Sequence, residues 1–324
     1  MGRFFLALGG TPRPRGGLVT VINYHRISRR AFRKHLVYLR NNYQVLSPEG
    51  FLDWLGGRIN VETPSILLTL DDGYVRFYQD IYPELKETET AALLFVPTGF
   101  VDGGQHFWED ELRIALQKSK KLCVELNGRR FSLHRRLYRA DFEEEILCHL
   151  RTLDRADRDR AKEDLFSKLD AMVTEEDLTG YQFLGWAEIQ EMAESGVVSI
   201  GSHTVNHPNL SLVQPDVLRF ELLESKRKLE EMTGQPVTTL AYPYGDPGSF
   251  NELVMQEARA AGYVCAFTTV QGSVGGPDVE RFRLKRIMLF DYQESGAVAM
   301  KLSAGLTGQR WFGSLARELA NRGN

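Results

Sequence analysis

The chain has 324 residues, 43% of them hydrophobic, with 40 Lys and Arg against 43 Asp and Glu and a formal charge of -3 at pH 7. That length supports one large or two medium domains around a substantial core, and the balanced charge leaves no basic footprint for a phosphate backbone, so no nucleic-acid partner is expected. Cys123, Cys148 and Cys265 lack C-x-x-C spacing, which argues against a thiolate zinc site or a redox pair.

Residues 1–17 form an N-terminal extension whose apolar run is too short for a secretory signal or a membrane span, so the expected location is cytoplasmic. "LVTVINY" (18–24) is the first of seven short runs rich in Val, Ile, Leu and Phe that lack polar alternation, as strands buried on both faces do. A helical pattern (30–43) follows it, then "SILLTL" (65–70) and "AALLFV" (91–96). About residues 102–183 break the rhythm and read as an insertion: a hairpin over 122–133 turning at Asn127-Gly128, then a charged helical pair. The rhythm resumes with a helix (185–196), "VVSI" (197–200), a helix (214–234), "VTTLA" (237–241), a helix (249–262), "YVCAFTT" (263–269) and "RLKRIML" (283–289). Gly196, Gly234 and Gly262 stand where helices should stop. The alternation predicts a parallel α/β sheet, open or closed into a barrel. Residues 291–324 read as amphipathic helical segment with Trp311 and Phe312 between its turns, suited to packing on the barrel, to a homodimer or to a membrane-surface contact that would make the protein peripheral.

Polar residues gather at the C-terminal ends of these strands: Tyr24-His25, Asp71-Asp72-Gly73, His203 with His207, and Tyr242-Pro243-Tyr244-Gly245. That end is where α/β folds place ligands and catalysis. His203 and His207 are four apart on a turn, since Pro208 argues against a regular helix there. Two imidazoles and a carboxylate would leave a zinc ion one open position, whose water titrates toward about pH 7. One aspartate could then bind metal while its neighbour stays ionised as a base; the other reading is an Asp-Asp-Gly turn that caps the next helix.

These segments together resemble the polysaccharide deacetylases, the NodB-homology domains of carbohydrate esterase family 4. "TLDDG" (69–73) resembles the family's T-F-D-D-G motif with Leu70 for Phe, "SHTVNH" (202–207) matches H-[ST]-x-x-x-H, and "YPYG" (242–245) matches the core of a third motif. The resemblance implies a distorted (β/α)7 barrel over residues 18–290, with Asp71 as general base, Asp72, His203 and His207 as ligands of one divalent metal (zinc, with cobalt or nickel as alternatives), and the Tyr244 N–H as an oxyanion donor. The implied reaction is hydrolysis of N-acetyl groups on a glycan, with release of acetate.

Two positions depart from the family pattern. Ala241 stands where the third motif carries Arg, and Arg286 is either its substitute or a structural ion-pair partner. No histidine follows His207 to act as general acid. "NYHRI" (23–27) resembles the Y-H-x-I stretch of the permuted exopolysaccharide and poly-N-acetylglucosamine deacetylases, so His25 is the candidate acid if the barrel closes. Tyr74, Trp108 and Tyr242 are candidate sugar-stacking residues, with Trp186 at least as well suited to packing. An amidase acting on a non-sugar C–N bond and a glycan-binding protein without turnover are the alternatives.

Overall fold

The computed structural model describes residues 17–307 except 104, 127, 277 and 278. In chain order the elements are β1 (Val19–Tyr24), α1 (Arg29–Asn42), β2 (Gln44–Val45), α2 (Pro48–Leu55), β3 (Ser65–Leu70), a π-helical turn (Phe77–Ile81) running into α3 (Tyr82–Glu87), and β4 (Ala92–Val96). Next come α4 (Trp108–Lys118), the hairpin β5 (Cys123–Leu126) and β6 (Arg129–Ser132), α5 (Arg136–Leu150) and α6 (Arg155–Leu169). The remainder is α7 (Trp186–Glu194), β7 (Val198–Ser202), α8 (Pro215–Thr233), β8 (Thr239–Ala241), α9 (Glu252–Ala260), β9 (Cys265–Gln271), β10 (Leu284–Met288) and α10 (Ser295–Thr307).

Seven of these strands close into a parallel barrel in the order β1, β10, β9, β8, β7, β4, β3, and β3 returns to β1 with Val19 opposite Ser65 and Tyr24 opposite Leu70. β2 adds to β3 outside the ring. Each barrel strand arises from one of the seven apolar runs, because a strand with helices outside and a filled interior has no face to leave polar.

Strand periodicity sorts the side chains into two cores. Ile22, Tyr24, Leu68, Ile200, Leu240 and Tyr242 face outward and pack under the helices. Val21, Leu67, Leu93, Phe95, Phe267 and Leu284 face inward. Phe51, Trp54 and Leu55 of α2 join this inner core, so α2 caps one end of the barrel. Continuing the inward parity toward the strand ends brings Asn23 on β1, Thr69 and then Asp71 along β3, and Arg286 on β10 to the interior at the other end.

The insertion builds a separate core, with Leu112 and Leu116 of α4, Val124 of β5, Phe142 and Ile146 of α5 and Leu165 of α6 buried together. At the end of the described chain, Val298 and Leu302 of α10 are buried in the barrel's outer core. Trp311 and Phe312 lie outside the described residues.

Candidate active site

Two adjacent carboxylates part company at the end of β3. The Asp71 N–H still donates to the Tyr24 carbonyl at 3.0 Å, so Asp71 keeps the strand's inward parity. Asp72 then takes a left-handed backbone, φ 76°, and the chain turns away. Asp tolerates that region better than most residues with a Cβ, because its short polar side chain bonds locally.

Asp71 is held on one side of the rim. Arg286 donates from Nη1 to Oδ1 at 2.8 Å and from Nη2 to Oδ2 at 2.7 Å, a bidentate pair in which both side chains are 1% exposed. Arg286 is itself fixed by Nε donating to the Thr268 carbonyl at 2.8 Å and lies over the adjacent rings of Phe95 and Phe267. Asn23 Nδ2 donates to Oδ2 at 3.0 Å, and His25 Nε2 is 3.6 Å from the same oxygen. Burial alone would raise the Asp71 pKa, but Arg286, with smaller contributions from His25 and His203, outweighs it and holds the carboxyl below its usual value. Asp71 is therefore an ionised, oriented carboxylate. Ala241 offers Asp71 no charge, and the arginine that pairs with the carboxylate comes from the last strand of the barrel.

Asp72 turns to the other side. Its Oδ1 is 3.6 Å from His203 Nε2 and 3.9 Å from His207 Nε2, and the three donor atoms lie within 4.8 Å of one another. The Ala241 carbonyl accepts from His203 Nδ1 at 2.8 Å, which leaves the Nε2 lone pair facing Asp72. Burial first, then the neighbouring His203, pushes His207 down to about 3, so it is neutral near pH 7. Two imidazoles and one carboxylate make a donor set suited to zinc and its neighbours among divalent transition metals.

The histidine loop is over-determined. Thr204 and His207 have φ of 67° and 53°. Glu221 of α8, 2% exposed, accepts from the Val205 and Asn206 N–H groups and from the Asn206 side chain, each at 2.8 Å. Thr204 Oγ1 accepts from the His207 N–H at 3.1 Å. Strained backbone of this kind persists only where its surroundings fix it, and it concentrates at working sites.

The rim residues divide. Tyr244, φ 64°, brings its ring to 5.1 Å from His207, and its N–H donates to no backbone carbonyl among the described residues. Trp108 donates from Nε1 to the Tyr244 hydroxyl at 3.3 Å but leans on the insertion core rather than lining the cavity. Tyr74 lines the cavity edge-on: it is 5% exposed, stacks on Phe183 at 5.0 Å, and donates to Asp110 at 2.5 Å. Tyr242 is not at the site. It has the outward parity of Leu240, is fully buried, stacks on Phe250 at 4.8 Å and donates to the Phe282 carbonyl, so the expectation of sugar contact is corrected to core packing. Trp186 likewise packs against the outer core.

A cavity of about 500 Å³ opens over these groups, lined by His25, Asp72, His207 and Tyr244 from the barrel and by Phe107, Glu109, Arg113 and Arg151 from the insertion. A second, of about 390 Å³, adjoins it through His25, Arg26 and Tyr74 and contains Asp71. Asn23, Arg26, Glu109, Asp110 and Arg151 were not singled out in the sequence. Asn23 is signalled only by being polar at an inward position of an apolar strand, and Glu109 and Asp110 are hidden in an acid-rich helix start.

Comparison with known proteins agrees with this architecture. A family model described as polysaccharide deacetylase matches residues 58–266. The YxkH protein of Bacillus subtilis (strain 168) is 23% identical over 252 residues, 78% of this chain and 61% of the relative, so the chain spans less than two thirds of that protein. IcaB from Ammonifex degensii superposes with a TM-score of 0.60 at 21% identity, covering 90% of this chain and 99% of that one. The Streptococcus pyogenes deacetylase PplD, solved with acetate, gives 0.59 at 19% identity over 89% and 99%. At these identities the likeness establishes the fold.

Proposed function

The chain belongs to the polysaccharide deacetylase family, and from that premise we propose that it hydrolyses N-acetyl groups on a glycan, using one divalent metal, zinc first, held by Asp72, His203 and His207. The observation that carries the proposal is the placement of an Arg-held, ionised Asp71 beside a two-histidine, one-carboxylate donor set at the C-terminal mouth of the barrel. Bound there, the metal would polarise the acetyl carbonyl and acidify water toward about pH 7, which lets a weak base suffice.

The chain's own groups supply the rest. Asp71 takes the proton of the attacking water; its bidentate clamp fixes which lone pair faces the cavity. The Tyr244 N–H donates to the oxygen of the tetrahedral intermediate, a contribution of about 3 kcal/mol per donor where measured in other enzymes. The C–N bond then breaks, and His25 gives its proton to the leaving amine. His25 stands 3.6 Å from Asp71, half-buried, with Nδ1 making no hydrogen bond. The products are acetate and a free amino sugar.

The test is acetate release from a panel of N-acetylated oligosaccharides after chelation and after readdition of zinc, cobalt or nickel. Release that vanishes on chelation and returns with metal is the expected result. Metal uptake without acetate from any sugar would contradict the proposal and favour a glycan-binding role or an amidase with another substrate.

A further inference from the structure

Glu109 is an unusual carboxylate. It sits in the first turn of α4, where three successive acids complement the helix dipole, but the other two have cations: Asp110 pairs with Arg26 at 2.9 Å and Arg113 at 3.3 Å, and Glu111 pairs with Lys162. Glu109 is 6% exposed and neither of its carboxylate oxygens makes a hydrogen bond. Buried polar atoms are nearly always paired, because an unpaired one forfeits its hydration without return. Glu109 is one of the residues that line the 500 Å³ cavity.

Arg151, at the end of α5, faces the same cavity. Its guanidinium lies 4.8 Å over the Tyr244 ring, and its Nε is buried without a partner. No ion pair joins Glu109 and Arg151, although the arginine's charge is felt at the carboxyl, which burial pushes up to about 7. The insertion thus brings a buried carboxylate, with the Tyr244 hydroxyl beside it, and a guanidinium with an unpaired Nε to the lining of the space beside His207 and Tyr244. An acid and a guanidinium side by side, against aromatic surface, match the hydroxyls and apolar face of a sugar ring.

We propose that Glu109 and Arg151 form a hydroxyl-binding subsite for the sugar that carries the acetyl group, which makes the insertion the element that selects substrate. This rests on the deacetylase reading above. Glu109 is then a substrate-binding residue outside the proton-transfer steps. The proposal also explains why α4 and α5 are anchored to the barrel: Phe107 packs at 4.5 Å on His207, and the Arg151 carbonyl accepts from Asn209 at 3.3 Å.

The test compares wild type, Glu109→Gln and Glu109→Leu on two substrates, a penta-N-acetylated chitooligosaccharide and an aryl acetate that has no sugar hydroxyl. A lost hydrogen bond to a charged group is expected to raise KM for the oligosaccharide about 10- to 100-fold in Glu109→Leu, less in Glu109→Gln, with aryl acetate turnover within about twofold of wild type. Monodeoxy N-acetylglucosaminides sharpen it: removing the contacted hydroxyl should slow wild type and leave Glu109→Leu no slower than with the parent sugar. Equal losses on both substrates would assign Glu109 a structural role and overturn the proposal, as would unchanged KM for the oligosaccharide. Aryl acetate turnover by wild type with no sugar deacetylated would instead defeat the deacetylase reading itself.

Discussion

Asp71 and Asp72 are neighbours in the chain and serve opposite halves of the rim. Asp71 belongs to the β1–β3–β10 side, clamped by Arg286 and Asn23, with one formal positive charge opposite its own. Asp72 belongs to the β7–β8 side, where its buried neighbours are two imidazoles. A single left-handed residue separates the environments. The lesson is that one turn sends two chemically equal side chains into different surroundings, one beside a guanidinium and one beside two imidazoles, and in the proposed mechanism that difference in partners makes one the base and the other the ligand.

The comparison can be broken most severely on the ligand side. His203→Ala should abolish metal binding and reduce turnover by more than about 100-fold, since even the outer partners of ligands commonly cost 10–100-fold; metal content of the purified protein and acetate release check it. On the base side, Arg286→Met leaves a buried carboxylate without its cation. The expected loss is about 3–5 kcal/mol of stability, read by denaturant titration. Because the folded Asp71 pKa lies below its unfolded value, near 3.9, its pairing stabilises above that pH and is lost as pH falls through the folded value. In Arg286→Met burial raises the pKa against only the weaker pull of His25 and His203, so the acid limb of kcat/KM should move to higher pH while metal content is retained.

His25→Ala sharpens the account of the leaving group. Amide cleavage should fall about 100-fold or more, whereas an aryl acetate, whose phenolate leaves without a proton, should be cleaved nearly as by wild type. Equal losses on both would remove His25 from the acid role. Tyr242→Phe should do least: it loses one buried hydroxyl bond to Phe282, about 1 kcal/mol by thermal unfolding, with kcat unchanged.

Much of this was legible in the sequence because burial on both faces writes barrel strands as uninterrupted apolar runs. Helices α1, α7, α8 and α9 were legible too, from amphipathic spacing and terminal glycines such as Gly234, φ 67°, the left-handed cap of α8. The two-residue β2 and the short α2 were missed: β2 is too brief to show a period, and α2 buries four of its eight residues as a plug. The metal donors were visible because they are local, two on one turn. Arg286 was ambiguous because its partner is 215 residues away, and only the closing β1–β3 contact brings the last strand around to Asp71. Tyr242 was misplaced for a simpler reason. Its parity with Leu240 puts it on the outer face, and that count was available from the strand alone. The insertion stayed opaque: neither an acid-rich helix start at Glu109 nor a charged helical pair with Arg151 at the end of its first helix says where the two residues meet the barrel.

The division between base and ligand is tested most directly by Asp71→Asn, assayed for acetate release from an N-acetylated oligosaccharide at metal occupancy equal to wild type. The expected result is full metal content with turnover lowered by about 10²- to 10⁴-fold, since the ligands stand on the other side of the rim and only the base is removed. Wild-type turnover at full occupancy, or loss of the metal with the substitution, would contradict it.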